Sequence, residues 1–94
     1  MPKRKIYPRD VDEHVSDKDD IRTAESGDFC YFLDDNNKIC WGEIYRVFTE
    51  QKILGFSIVC QTEYRHYSVP AEFCSFSKKD LKGKKRIDYT KLKR

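Results

Sequence analysis

Phe29-Cys30-Tyr31-Phe32-Leu33, then Asp34-Asp35-Asn36-Asn37, then Lys38-Ile39-Cys40-Trp41-Gly42-Glu43-Ile44-Tyr45-Arg46-Val47-Phe48 is the stretch on which the reading of this chain turns. Two aromatic and aliphatic runs flank a cluster of turn formers, the pattern of a β-hairpin. With Asp35-Asn36 as the turn centre, Cys30 is expected opposite Trp41 and Tyr31 opposite Cys40, because directly paired residues share a face. Gly42 interrupts the second run, where a missing side chain marks a bulge or a sharp bend. A third strand is expected from about Ile53 to Gln61, and a fourth from Tyr64 to Val69 after a turn near Thr62-Glu63, stopped by Pro70. Val69-Pro70-Ala71-Glu72-Phe73 suits a single 3₁₀ turn, and Cys74-Ser75-Phe76 a brief closing strand. No segment before Ser77 carries the 3.6-residue period of an amphipathic helix of useful length. Five short strands in about 50 residues, one bent at a glycine, predict a small closed barrel, since closure hides the edges that a tiny open sheet exposes.

Outside this core the composition changes. Eleven of the 13 aromatic residues and all four Cys fall between positions 29 and 76. Residues 10–28 carry eight acidic against two basic side chains, a net of −6, with little that is apolar to bury. Such a segment does not recover its ordering entropy by packing, so it reads as disordered or loosely docked. Residues 78–94 carry nine basic against two acidic side chains, a net of +7, so the overall +3 hides two opposed arms that are able to pair with each other. The expected organisation is a charged arm over 1–26, a barrel over 27–77 and a basic tail over 78–94. Ser77-Lys78-Lys79-Asp80 also suits the start of a short helix, with an acidic residue three positions after the cap.

The 94 residues allow one small domain. Charged residues make up 37% of the chain and mean hydropathy is −0.82. No apolar run approaches the roughly 18 residues of a membrane span, so no membrane partner is expected. Met1-Pro2-Lys3-Arg4-Lys5 resembles the start of a secretory signal, but no apolar segment follows it, and the expected location is the cytoplasm.

Gly27-Asp28-Phe29-Cys30-Tyr31-Phe32, Ile39-Cys40-Trp41-Gly42-Glu43-Ile44, Tyr67-Ser68-Val69-Pro70 and Phe76-Ser77-Lys78-Lys79-Asp80-Leu81 together resemble the SH3-like and Tudor-like small barrels. The pattern is most similar to uncharacterised members found on bacteriophages and bacterial mobile elements. The resemblance spans roughly positions 27 to 81. It implies an all-β, five-stranded SH3-like barrel flanked by irregular or partly helical charged arms. It implies no catalytic residues, because such barrels host many unrelated activities.

Cys30, Cys40, Cys60 and Cys74 stand 10, 20 and 14 positions apart, with no C-x-x-C pair to form a zinc knuckle. They are expected to pack as small apolar residues in a reducing compartment, with metal binding and disulfide formation as the alternatives. His14 and His66 read as solvated or hydrogen-bonded imidazoles. The chain has no G-x-S-x-G, P-loop, G-x-G-x-x-G or H-E-x-x-H motif. Its core-window carboxylates, Asp34, Asp35, Glu43, Glu50, Glu63 and Glu72, read as turn formers and solvated faces. The expectation is therefore no enzyme activity, no cofactor, no metal and no small-molecule substrate.

Lys82-Gly83-Lys84-Lys85-Arg86 places four positive charges in five positions, a density that releases counterions from a nucleic-acid backbone. Lys78, Lys79, Lys82, Lys84, Lys85 and Arg86 are the candidate phosphate contacts. Trp41, Tyr64 and Tyr67 are the candidate faces for stacking on RNA or DNA bases. The Tudor-like resemblance implies instead a cage for a methylated or guanidinium cation. The expected function is a non-enzymatic binding module for nucleic acid. The alternative is a protein-interaction module, such as a phage or mobile-element product that binds a host protein, with Asp17, Asp19 and Asp20 standing in for phosphates.

Overall fold

The computed structural model describes residues 14–86. Readings that fall on 1–13 and 87–94, including the basic start and the last part of the tail, lie outside the described residues. Within 14–86 the strands are β1 (Phe29–Leu33), β2 (Ile39–Glu50), β3 (Ile53–Cys60), β4 (His66–Pro70) and β5 (Cys74–Ser75). Single 3₁₀ turns occupy Ile21–Thr23, Ala71–Phe73 and Lys78–Leu81. The 3₁₀ turn after Pro70 and the brief closing strand fall where the local sequence places them.

The strands form one antiparallel sheet in the order β4-β3-β2-β1-β5. This corrects the expected SH3-like barrel, and with it the resemblance to the SH3-like and Tudor-like families: the sheet is open, and no ladder joins its end strands. β5 pairs with β1 through only Tyr31↔Ser75 and Phe32↔Cys74. Two residues are too few to carry a second ladder around to β4. The edge problem that argued for closure is met instead by short end strands. Ile21 and Arg22 line a cavity with Pro70 and Ala71 at the end of β4, and Arg86 lines another with Ser68 and Pro70.

The β1–β2 hairpin is paired one residue away from the expected register, with Tyr31↔Trp41 and Phe32↔Cys40. The cause lies in the loop. Asn37 adopts φ 63°, and the Asp34 N–H donates to Lys38 O at 3.0 Å, so three residues rather than two separate the last bonded pair. Asp34 holds this loop with its Oδ1, which accepts from the Asn36 N–H at 2.8 Å and the Lys38 N–H at 2.9 Å. The bulge expected at Gly42 sits three residues later. The β2–β3 register shifts between Ile44 and Arg46, leaving Tyr45 as the extra residue. Gly42 serves close approach: a Cβ there would lie 2.2 Å from the Val59 carbonyl oxygen.

By this register Cys30, Phe32, Cys40, Ile44, Phe56, Ile58, Cys60, Tyr67 and Val69 share one face and are buried. The opposite face is partly covered by the chain before β1. The Ser16 N–H donates to Phe29 O at 3.0 Å and the Gly27 N–H to Ile44 O at 2.7 Å, while Ala24 of the same segment packs into the core on the first face. On the opposite face the His14 and Phe29 rings pack on Trp41 with centroids 6.3 and 5.8 Å away. After β5, Ser77 precedes the Lys78–Leu81 turn, but its side chain makes no capping bond and only one 3₁₀ turn forms. Among the described residues no helix is long and apolar enough to cross a membrane.

Candidate functional site

The lysine-bearing turn after β5 is fixed from both sides. Leu81 is 1% exposed and belongs to the core cluster, while the Ser75 hydroxyl donates to the Asp80 carboxylate at 2.7 Å. That bond satisfies the one acidic group of the turn and ties it to β5. Lys78, Lys79, Lys82 and Lys85 are exposed around this anchor. Lys78 Nζ also lies 5.5 Å from the centre of the Tyr31 ring. The other two tail cations are engaged by neighbouring groups. Lys84 Nζ donates to Glu72 O at 2.7 Å. The Arg86 N–H donates to Asn37 Oδ1 at 2.6 Å, and its guanidinium reaches Leu33 O and Asp35 Oδ1, both at 3.4 Å. Asn37 can accept that bond because its left-handed backbone turns the side chain outward, a constraint of the hairpin loop and not of the tail.

Among the described residues the ion pairs are Lys18–Asp28, Arg22–Asp20 and Arg86–Asp35. The acidic segment is partly neutralised within itself. The Arg22 guanidinium and N–H hold the Asp20 carboxyl below the usual carboxylate range. Burial works against the Asp28 charge, but the Lys18 ammonium and the Glu25 N–H outweigh it and hold Asp28 low as well.

The three candidate stacking rings are not brought together. Trp41 is 3% exposed on one face of the sheet, and Tyr67 is buried on the other, with its ring 5.2 Å from that of Phe32. Tyr64, in the β3–β4 loop, is exposed, and that loop borders β4, the opposite end of the strand order from β5. Exposed apolar side chains occur instead along the β2–β3 hairpin, at Tyr45, Val47 and Ile53, with Val47 and Ile53 on opposite faces.

A second constellation was not evident from spacing. Cys40 and Cys60 are neighbours. Asp34, Cys40 and Glu63 present ligand atoms that all lie within 4.8 Å of one another. The register explains the gathering: Gly42 faces Cys60, so Cys40 lies diagonally across from it at the mouth of the β3–β4 loop, and Asp34 closes the hairpin beside Cys40. The Cys40 thiol donates to Asp34 Oδ2 at 3.6 Å. Neighbouring Cys60, burial and the nearby carboxylates push the Cys40 thiol up. Cys60 is lowered by neighbouring Cys40 and by the Thr62 hydroxyl at 3.1 Å, against the opposing effect of burial. The Tyr67 hydroxyl donates to Glu63 Oε1 at 2.7 Å, and burial together with that carboxylate pushes the phenol up. Cys30 and Cys74 form a second thiol pair, deeper in the core. No sequence signal marks either pair, because both depend on ladder register.

No protein-family model, curated protein or solved structure matches the chain.

Proposed function

We propose that the protein is a non-enzymatic binding module that contacts nucleic-acid phosphates through Lys78, Lys79, Lys82 and Lys85. The observation that carries this reading is that Lys78 and Lys79 stand exposed on a turn pinned by Leu81 and by the Ser75–Asp80 bond, with Lys82 and Lys85 exposed in the residues that follow it. A pinned turn presents charge without first ordering a chain, so less conformational entropy opposes binding. Lysine on phosphate contributes affinity without sequence preference.

Replacing these four lysines by Ala, with Lys84 and Arg86 retained, is expected to weaken RNA and DNA binding uniformly. The slope of log affinity against log salt should flatten by about three to four units, as for four phosphates. Fluorescence anisotropy at several salt concentrations reads both quantities. A folded variant with the parent's affinity and slope removes the turn from the function.

The exposed Tyr45, Val47 and Ile53 favour a second reading, a protein-interaction module that docks through the β2–β3 hairpin. Copurification from a native lysate before and after nuclease treatment separates the two, since a partner held by the hairpin survives the nuclease.

A further inference from the structure

We propose that Asp34, Cys40 and Glu63 form a binding site for one divalent metal ion of the zinc class. The site lies where the β1–β2 loop, β2 and the β3–β4 loop meet, and it does not rest on the lysine turn.

The argument begins with the donor set. One thiol and two carboxylates are a borderline mixture that suits Zn²⁺ better than the all-oxygen shell of Mg²⁺ or Ca²⁺. The Asp34, Cys40 and Glu63 donor atoms already fall within 4.8 Å of one another. Tetrahedral zinc with bonds of roughly 2.0 to 2.3 Å needs its ligand atoms about 3.6 Å apart, so a modest contraction suffices. Three protein ligands leave the fourth tetrahedral position to water.

The carboxylates are positioned as ligands. Asp34 uses Oδ1 to accept two backbone N–H bonds, which leaves Oδ2 pointing at Cys40. Glu63 uses Oε1 to accept from Tyr67, which leaves its second oxygen for the ion. Fixing one oxygen of a carboxylate while the other faces the metal is the usual outer-shell arrangement.

Charge supplies the independent argument. Asp34 is 2% exposed, yet none of the ion pairs among the described residues reaches it or Glu63. The nearby cation Arg65 is stacked over the Tyr67 ring, with its guanidinium carbon 5.1 Å from the ring centre. Hydrogen bonds solvate the Asp34 carboxylate, but a buried carboxylate beside a second one still favours a compensating cation. A divalent ion meets that need and displaces the Cys40 thiol proton as it binds.

The test uses the full chain, stripped with a chelator under reducing conditions and titrated with Zn²⁺ or Co²⁺ alone. One equivalent of Co²⁺ is expected to give a thiolate charge-transfer band and the visible bands of tetrahedral cobalt, both lost on adding Zn²⁺. Cys40→Ser is expected to weaken Zn²⁺ binding by at least about tenfold, and Tyr67→Phe by about tenfold through Glu63. Cys30→Ser leaves the affinity at the parent's value. If a variant fails to fold, the parent's cobalt spectrum still decides the ligand type. A parent chain that shows no charge-transfer band and holds no metal after gel filtration overturns the proposal. So does stoichiometric binding that Cys40→Ser leaves unchanged in a folded protein.

Discussion

Replacing Gly42 by Ala is expected to be among the most damaging single-methyl additions in the protein. A Cβ at this position would lie 2.2 Å from the Val59 carbonyl oxygen, 2.9 Å from the Val59 carbonyl carbon and 2.8 Å from Ile58 Cγ2. Non-bonded carbon contacts are optimal at about 3.5 to 4.0 Å, so the clash with the oxygen falls short by more than roughly 1 Å. Two of the three atoms are backbone of the paired strand. Relief therefore requires β2 and β3 to part at Gly42↔Cys60, beside the thiol–carboxylate cluster. Overpacking that moves backbone lies at the upper end of its range, about 3 kcal/mol. At about 4 to 8 °C per kcal/mol for a domain of this size, the melting temperature should fall by roughly 12 to 24 °C. Gly55→Ala is the internal control. Its added Cβ would meet the Phe48 ring edge at 2.8 Å and the Val69 carbonyl oxygen at 3.3 Å. Phe48 is only half-buried and can swing aside, so the expected cost is about 1 kcal/mol. Thermal melts by circular dichroism and urea midpoints measure both variants. A Gly42→Ala protein that melts with the parent, or a costlier Gly55→Ala, would refute the close-approach reasoning.

Leu81→Ala should destabilise the fold by about 2 to 4 kcal/mol in urea titrations, because a fully buried side chain leaves a cavity, and it should also loosen the lysine turn. Tyr67→Phe removes the donor to Glu63 Oε1 and should cost about 1 to 2 kcal/mol in the metal-free protein, read from the same titrations. Asp28→Asn should be less stable than the parent at neutral pH. Because the folded pKa of Asp28 lies below its ordinary value, its contribution is full above roughly pH 4 and is lost as pH falls further. The gap between parent and variant urea midpoints should therefore close in acid, and a gap that persists there would assign the effect to packing and not to charge.

Much of the secondary structure was legible locally. The alternation of aromatic and β-branched residues around Asp34-Asp35-Asn36-Asn37 marked the first hairpin. Pro70 followed by Ala71-Glu72-Phe73 marked a single turn leading into a short strand. These signals act over a few residues, through fixed dihedrals and the two-residue period of a strand. The candidate site was less legible. Lys84 and Arg86 are as basic in the sequence as Lys82 and Lys85, yet they are held by Glu72, Asn37, Leu33 and Asp35, groups set in place by the hairpin loop and the turn after β4.

Whether the sheet closed, which residues faced each other and which cysteines met were settled at longer range. One left-handed residue, Asn37, moved the hairpin register by a position and set Tyr31 in place of Cys30 opposite Trp41. A bulge at Tyr45 rather than Gly42 set where β2 bends against β3. The two-residue length of β5 left the sheet open. Register propagates, because side chains alternate between faces and a slip of one residue exchanges them all. Asp34, Cys40, Cys60 and Glu63 are far apart in the chain and share no spacing motif. They converge only because the β1–β2 and β2–β3 ladders, each fixed by a loop conformation, bring the ends of three strands to one place.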